Sequence, residues 1–220
     1  MKIAVLGTGM VGEAIATRLI GLGHEVRMGS RSPQNASAAA WVKQGGSRAS
    51  QGDFAGAAAF GELVFNCTNG ATALDAVQAA GASNLAGKIL VDVSNPLDVS
   101  QQPPGLLFCN DTSLGERLQA ALPGVKVVKT LNTMNCSIMV QPRQLPGAHQ
   151  VFVSGNDAGA KARVAEILCT FGWARSEIID LGDITTARGP EMFLPLWLRL
   201  WGALGTGSFN IRIVKNDPAA

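Results

Sequence analysis

The chain has 220 residues, a formal net charge of +2, 47% hydrophobic residues and only 15% charged residues. At about 100 to 200 residues per domain, this length predicts one domain, and the apolar content excludes a disordered chain. Because lysines and arginines are scattered, a nucleic-acid partner is not expected. The apolar run Met192–Leu204 is shorter than the about 20 residues of a membrane span and is interrupted by Pro195 and Arg199, so we expect a buried or interfacial helix and no membrane partner.

Short apolar runs alternate with alanine-rich stretches, which is typical of a parallel sheet joined by crossover helices. The predicted strands are Lys2–Leu6, Glu25–Gly29, Leu63–Cys67, Ile89–Asp92, Val125–Thr130, Gln150–Ser154, Glu177–Asp180 and a terminal Phe209–Val214. The predicted helices are Val11–Ile20, Gln34–Gln44, Thr72–Ala80, Ser113–Leu122, Ala158–Phe171 and a C-terminal aromatic helix, Glu191–Leu204. The pattern predicts an α/β, doubly wound, mainly parallel sheet of about seven or eight strands.

A glycine motif connects the first predicted strand to the first predicted helix: Gly7-Thr8-Gly9-Met10-Val11-Gly12. In G-x-G-x-x-G, the first glycine permits the tight turn, the second lets backbone approach a pyrophosphate, and the third lets helix and strand pack closely. N–H groups at the helix N-terminus then bind the anion. We therefore expect residues 1–140 to form a dinucleotide-binding Rossmann core, and residues 141–220 to extend its sheet and pack the C-terminal helix on the same domain.

The end of the second strand indicates which dinucleotide is bound. An NAD site usually has Asp or Glu there to bind the ribose hydroxyls, whereas this chain has Ser30-Arg31-Ser32. An arginine with two hydroxyls suits a 2′-phosphate, because Arg makes charge-assisted, bidentate bonds to phosphate oxygens. The sequence favours NADP(H) over NAD(H), with a surface-exposed arginine of no special role as the alternative.

Polar residues follow three later strands, at the edge of the sheet where ligands of open parallel sheets bind. Amides and hydroxyls there can bind a nicotinamide carboxamide and ribose, or they can simply form turns and helix caps. The three clusters are Cys67-Thr68-Asn69-Gly70, Asp92-Val93-Ser94-Asn95-Pro96 and Lys129-Thr130-Leu131-Asn132-Thr133-Met134-Asn135.

The residues that are missing narrow the chemistry. The chain has no Tyr, which excludes the tyrosine-dependent short-chain dehydrogenases. Its histidines, His24 and His149, are isolated, and we expect His149 to lie at the surface of a Gly-and-Pro loop. The four cysteines (Cys67, Cys109, Cys136 and Cys169) lie far apart, so we expect reduced thiols and no metal site. Hydride exchange between two rings fits this inventory, because it depends on positioning more than on a protein acid.

The C-terminal helix carries a broad apolar face. This face could form a wall for a second ring, or it could pack on the sheet or on a second subunit. It consists of Met192, Phe193, Leu196, Trp197, Leu200, Trp201 and Leu204.

These residues resemble a known family, the NADPH-dependent deazaflavin reductases that exchange hydride between NADP(H) and coenzyme F420, with the oxidoreductase domain of six-transmembrane metalloreductases as a relative. The resemblance spans nearly the whole chain and rests on Gly7–Gly12, Gly29-Ser30-Arg31, Ser94-Asn95-Pro96-Leu97, Lys129–Thr133, Ser154-Gly155-Asn156-Asp157 and Phe209-Asn210-Ile211.

The resemblance implies a role for each matched segment. It implies that Thr8, Gly9, Met10 and Val11 hold the pyrophosphate, that Ser30 and Arg31 hold the 2′-phosphate, and that Thr68, Asn69 and Asn132 to Cys136 border the nicotinamide. It also places Gly205 to Gly207 near that ring and implies a homodimer. One departure is Asn35, which stands where the family often has a lysine for the 2′-phosphate.

We therefore expect an NADP(H)-dependent oxidoreductase that passes hydride to a flavin or deazaflavin, a small-molecule acceptor, with no catalytic side chain. One alternative is a binding protein that senses NADPH without catalysis. Another is a reductase of a small carbonyl or imine compound, which requires His149, Asp111 or Asp183 within reach of the cleft. The N-terminal apolar run is too short for a signal peptide, so a cytoplasmic location is expected.

Overall fold

The computed structural model describes residues 1–100 and 102–216 of the chain. Its strands are β1 (Lys2–Leu6), β2 (Glu25–Ser30), β3 (Ala49–Asp53), β4 (Leu63–Asn66), β5 (Ile89–Asp92), β6 (Leu97–Asp98), β7 (Gly105–Leu106), β8 (Lys126–Thr130), β9 (Val151–Ser154) and β10 (Ile178–Gly182). Its α-helices are α1 (Met10–Gly21), α2 (Ala36–Gly45), α3 (Phe54–Phe60), α4 (Ala73–Ala80), α5 (Ala82–Leu85), α6 (Leu114–Ala121), α7 (Cys136–Val140), α8 (Ala158–Phe171), α9 (Arg188–Met192) and α10 (Leu194–Leu204). Single 3-10 turns cover Gly46–Arg48, Gly70–Thr72, Pro142–Gln144, Arg175–Glu177 and Ile184–Ala187.

Eight of these strands form one sheet in the order β10-β9-β8-β5-β4-β1-β2-β3, and β6 and β7 form a separate antiparallel pair. Every neighbouring pair in the large sheet is parallel except β8 and β9. The strand β1 lies between β2 and β4, so the connections turn to opposite sides of the sheet at β1. In doubly wound sheets, this switch point opens a crevice at the carboxyl ends of the strands.

The central strand β1 is apolar along its length because both of its faces are covered. Ile3 and Val5 belong to one apolar cluster, and Ala4 and Leu6 belong to the cluster on the opposite face. Successive strand residues point to opposite faces, so a strand covered on both sides needs a continuous apolar run instead of an alternating one. This arrangement holds the turn after Leu6 on a rigid base.

The predicted fold class is confirmed, but the eighth strand of the large sheet is not the predicted one. It is β3, whose sequence Ala-Ser-Gln-Gly-Asp has no apolar alternation. The predicted terminal strand Phe209–Val214 lacks strand structure. It bonds to the residue before β9, where Gln150 N–H donates to Ile211 O at 2.9 Å, without forming a ladder with that strand. It cannot continue along β9, because β8 and β10 already pair with both edges of that strand.

The predicted aromatic helix Glu191–Leu204 is interrupted. It is divided into α9 and α10 at Phe193, next to Pro195 near the start of α10. Proline lacks an N–H group and its ring crowds the preceding turn, so a helix usually ends just before it. No residue of α10 is buried, so of the two alternatives expected for this helix, buried or interfacial, the structure contradicts the buried one. No helix within residues 1–100 and 102–216 has the length and apolarity to cross a bilayer.

Candidate functional site

The glycine motif forms a tight turn between β1 and α1. Gly7 has a φ of +112°, and a Cβ there would lie 2.6 Å from the backbone oxygen of Cys67. At Gly12, a Cβ would lie 2.2 Å from the backbone oxygen of Gly7. By contrast, nothing lies within 4 Å of a Cβ at Gly9, which is the N-cap of α1 and makes no side-chain cap. The first and third glycines are therefore needed for packing, whereas the second faces open space.

This turn opens into a cavity of about 1050 Å³ at the carboxyl edge of the sheet. We call it the nucleotide groove. Gly7, Thr8 and Gly9 line one part, and the residues after β2 line another. The turn after β4, with Cys67, Thr68 and Asn69, completes it on the other side of β1. Burial, with a smaller contribution from the Asp92 carboxylate, raises the pKa of the Cys67 thiol, so this thiol stays neutral and is a poor nucleophile.

The segment after β2, which we call the adenosine end, is open to solvent. Arg31 is exposed, and its guanidinium has no hydrogen bond or ion pair within the part of the chain that the structure describes. Ser30 is buried and donates from its hydroxyl to Ser32 O at 2.6 Å, which fixes the turn. Asn35 accepts from the Ala38 N–H at 3.0 Å and so caps α2. The residue that departs from the family pattern therefore has a structural task here.

The turns after β4, β5 and β8 meet beside the groove, next to Thr68 and Asn69, which line it. We call this junction the nicotinamide end. Asn95 Nδ2 donates to Asn132 O at 2.7 Å, and Asn132 Nδ2 donates to Asn95 Oδ1 at 2.9 Å. A Cβ on Gly70 would lie 1.9 Å from the backbone oxygen of Asn95, so the turns after β4 and β5 also touch. The three polar clusters are brought together, but several of their amides bond to each other and form a preorganised frame.

A buried ion network lies beneath this frame. The Lys129 ammonium lies 2.8 Å from Asp92 Oδ2 and 2.7 Å from Glu191 Oε1, and it donates to Ser94 O at 2.5 Å. The side chains of Lys129, Asp92 and Glu191 are only 0–3% exposed. Burial by itself lowers the pKa of Lys129, but the two carboxylates outweigh burial and raise that pKa above its ordinary value, so the ammonium is retained.

Both carboxylates in the network accept further hydrogen bonds. Asp92 Oδ1 accepts from Asn66 Nδ2 at 2.8 Å and from the Ser94 hydroxyl at 2.6 Å. Glu191 accepts from the N–H groups of Leu114 and Gly115 at 2.7 and 3.1 Å, at the start of α6. The network thus ties β5, β8, α6 and α9 together below the nicotinamide end.

The C-terminal segment adds an apolar wall near the turn after β8. Trp197 stacks on Phe209 with 5.5 Å between ring centroids, and its ring lies 5.6 Å from that of Trp201. A Cβ on Gly207 would lie 3.2 Å from Asn135 Nδ2 and 3.5 Å from the Trp197 ring. Gly207 therefore allows the segment after α10, residues 205–216, which we call the tail, to approach the start of α7.

His149 is buried, so the expectation that it lies at the surface is wrong. Its Nε2 lies 3.0 Å from Pro142 O, and its Nδ1 lies 2.8 Å from Asn210 Nδ2. The tail closes over this loop, and Trp173 covers the ring at 4.9 Å between centroids. His149 therefore anchors the tail and is not presented to the groove. Asp183 caps the 3-10 turn that follows it, and Asp111 is exposed; neither lines the groove.

The other predicted site residues divide into two groups. The first group lines the groove and consists of Gly7, Thr8, Gly9, Ser30, Arg31, Thr68 and Asn69. Beside this group, Met10 is 81% exposed at the start of α1, whereas Val11 packs inward on the core. The second group lies at the nicotinamide end. Its buried members are Ser94, Asn132, Thr133 and Met134, and its half-buried members are Asn95 and Cys136. None of this second group lines the groove as the described residues shape it.

Sequence reasoning missed the roles of Asn66, Asp92, Lys129 and Glu191. A signal was present, because Asp92 directly follows Ile89–Val91 and Lys129 directly follows Val127 and Val128, where a strand covered on both faces does not ordinarily carry charge. Glu191 had no comparable signal. It lies 62 positions from Lys129 on a separate helix, and only the fold brings them together.

The groove fits a phosphorylated dinucleotide. Gly9 leaves room for a diphosphate at the N-terminus of α1, whose first N–H groups are uncapped by any side chain. Arg31, at the end of β2, is a cation with no partner among residues 1–100 and 102–216, as a 2′-phosphate would require. The turns after β4, β5 and β8 supply amides and hydroxyls but no charged side chain in the segments 67–72, 93–96 and 131–135.

Comparisons with known proteins agree with this geometry. Residues 2–96 match the family model described as "NADP oxidoreductase coenzyme F420-dependent". A crystal structure from Arthrobacter sp. FB24, described provisionally as an F420-dependent NADP-reductase, is 54% identical, covers 98% of this chain and 100% of that one, and superposes with a TM-score of 0.93.

More distant proteins share parts of this similarity. Metalloreductase STEAP3 of Rattus norvegicus is 30% identical over 89% of this chain and 38% of its own length, so the chain spans little more than a third of that curated relative. An imine reductase from Aspergillus terreus is 20% identical with a TM-score of 0.66, covering 93% of this chain and 62% of that one, which shows a common fold. On the fold, the groove and the relative that matches it end to end, the chain belongs to the family of coenzyme F420-dependent NADP oxidoreductases.

Proposed function

We propose that this oxidoreductase binds NADP(H) along the nucleotide groove and exchanges hydride with a flavin or deazaflavin ring, without a general acid from the protein. When bound, the reduced cofactor supplies a hydride from its nicotinamide ring. The single observation that carries the proposal is the nicotinamide end, where three turns converge and present only amides, hydroxyls and apolar groups. A reductase of carbonyls or imines needs a proton donor there.

The residues divide the work of binding. The N–H groups at the start of α1 bind the pyrophosphate, and Arg31 with the Ser32 hydroxyl binds the 2′-phosphate. Thr68 and Asn69 border the ribose and carboxamide, and Asn132 with Asn95 holds the frame against which the ring rests. The chain thus orients the ring, while the ionisable groups Asp92, Lys129 and Glu191 stay buried and paired. Asp53 and Asp75, which also line the groove, are exposed.

The test is anaerobic stopped-flow oxidation of bound NADPH against a deazaflavin, FMN, FAD, ferric chelates and quinones. We expect a deazaflavin or flavin to accelerate oxidation far above the rate without acceptor, and we expect deuterium at the transferring C4 position of NADPH to slow the step. Because no protein acid takes part, the single-turnover rate should stay flat between about pH 6 and 9. If NADPH binds tightly but no acceptor accelerates its oxidation, the binding protein that senses NADPH replaces the enzyme.

A second copy of the chain is the partner that we propose for the exposed face of α10. Leu196, Trp201 and Leu204 are 54%, 49% and 56% exposed, and Met192 at the end of α9 adds 40%. A contiguous apolar face of this kind on one side of a helix indicates an interface. The face lies next to the tail that packs on Asn135, so a partner subunit would close the acceptor side of the nicotinamide end.

The dimer is tested by light scattering after size-exclusion chromatography. We expect twice the chain mass for the wild type and the single-chain mass for Leu196→Glu. Leu107→Glu is the matched control, because Leu107 is a 45% exposed leucine outside the C-terminal segment and should leave the mass unchanged. A monomeric wild type would contradict the proposed interface without affecting the proposed chemistry.

A further inference from the structure

The buried network carries an excess negative charge. Every oxygen of Asp92 and Glu191 faces a donor: Asp92 receives hydrogen bonds from Asn66, Ser94 and Lys129. Glu191 receives them from Lys129 and from the N–H groups that begin α6. Apart from the Ser94 hydroxyl, which can also accept, these partners are N–H groups that can only donate. Two carboxylates that pair with one ammonium leave one net negative charge.

This charge is unevenly placed. The N-terminus of α6 carries a partial positive charge and stabilises Glu191 directly, through two backbone N–H groups. Asp92, by contrast, has neutral donors besides Lys129, and it ends β5 just before the Ser94-Asn95 turn. The uncompensated part of the charge thus lies on the side of the network nearest the three converging turns.

Protein surroundings screen such a charge weakly, because the network is buried and water does not reach it. The oxidised nicotinamide ring is a cation and the reduced ring is neutral. A fixed negative charge beneath the site therefore interacts favourably with one redox form and hardly with the other.

We propose that Asp92, Lys129 and Glu191 are positioning residues that set which redox form of the nicotinamide this chain prefers, by favouring the cationic NADP⁺ over NADPH. The inference rests on the proposed function and deepens it. By linkage, a protein that binds the oxidised form more tightly makes bound NADPH a stronger hydride donor. The network thus biases the site toward reduction of the acceptor, which takes up the two electrons and the proton of the hydride as NADPH becomes NADP⁺.

Calorimetric titration with NADP⁺ and with NADPH tests the proposal without any acceptor. The variants are Glu191→Gln and Asp92→Asn, each of which keeps the side-chain size and removes the net charge. We expect each variant to weaken NADP⁺ binding by about six- to tenfold more than NADPH binding, the effect of a unit charge at about 12 to 15 Å with an effective dielectric constant near 20.

Glu116→Gln is the matched control. Glu116 also joins α6 to the α9 segment, through two hydrogen bonds from Arg188 at 2.9 and 2.6 Å, but it does not touch Lys129. Its ratio of the two dissociation constants should equal that of the wild type. A structural role of the network would weaken both nucleotides by the same factor, and that result would overturn the proposal.

If neither variant folds, the affinities of the wild-type chain for NADP⁺ and NADPH provide a second test. NADP⁺ should then bind at least as tightly as NADPH, and a tenfold preference for NADPH would overturn the proposal. Failure of the wild type to bind either nucleotide would instead contradict the proposed function itself, so the two failures are distinguishable.

Discussion

The two ends of the nucleotide groove are built in opposite ways. At the adenosine end, the exposed cation Arg31, which pairs with no residue that the structure describes, lies on a short turn. At the nicotinamide end, most of the polar side chains are buried and already hydrogen-bonded to one another, over a base in which Lys129 joins two carboxylates. The exposed cation is free to meet a ligand, whereas the opposite end is fixed by contacts within the chain itself. On the proposed function, the first would select the cofactor and the second would orient its ring.

The largest loss of stability should come from disrupting the buried ion network of Asp92, Lys129 and Glu191 beneath the nicotinamide end. Lys129→Met leaves two buried carboxylates without their cation, and we expect it to lower the free energy of unfolding by about 3–5 kcal/mol in urea titrations. Lys126→Met is the control, since Lys126 begins the same strand but pairs with Asp157 at 46% and 36% exposure. That variant should lose about 1 kcal/mol or less. Equal losses of unfolding free energy in the two variants would show that the buried network stabilises the fold no more than an exposed ion pair does.

The glycine turn gives the next effect and separates packing from binding. Gly12→Ala places a methyl group against the Gly7 carbonyl, and we expect about 3 kcal/mol of destabilisation by thermal or urea unfolding. Gly9→Ala should fold like the wild type, because its Cβ meets nothing, yet it should weaken NADPH binding by narrowing the groove. A Gly9→Ala protein that binds NADPH normally would argue against a pyrophosphate at this turn.

The adenosine end is tested by Arg31→Ala. We expect NADPH binding to weaken by about 1.5–3 kcal/mol, the usual contribution of a charged hydrogen bond, with NADH binding nearly unchanged. Fluorescence or calorimetric titration of both nucleotides measures the difference. Equal losses for the two would mean that the guanidinium does not contact the 2′-phosphate.

The smallest effect concerns pH. The Arg188 guanidinium beside Glu116 holds the pKa of that carboxyl below its ordinary value, although burial opposes this. A depressed pKa contributes stability above the unfolded-state pKa of about 4.3 and loses it as the pH falls through the lower, folded-state value. We expect Glu116→Gln to remove up to about 1 kcal/mol at neutral pH and almost none in strong acid. A pH-independent difference in unfolding free energy would contradict this assignment.

Much of the adenosine end could be predicted from sequence because its signals are local. The turn Gly7–Gly12 and the Ser30-Arg31-Ser32 segment are contiguous, and each directly follows an apolar strand. The strand β3 escaped prediction because Ala49–Asp53 has no β-branched or aromatic residue, and only the Asp53 cap of α3 marks the boundary that follows it.

The nicotinamide end could be predicted only in outline. The positions of its three turns follow from the carboxyl ends of the strands, but the pairing of Asn95 with Asn132 and of Lys129 with Glu191 depends on how distant elements pack. The exposure of α10 was likewise not predictable, because an apolar helical face reads the same whether it covers the sheet or another subunit.

A crystal structure of the chain with NADP⁺ tests the central claim most directly. We expect the pyrophosphate on the N–H groups that begin α1, the 2′-phosphate within hydrogen-bond distance of Arg31, and the nicotinamide ring against the turns that hold Asn95 and Asn132. A cofactor that left the glycine turn empty, or a 2′-phosphate bound away from Arg31, would contradict it.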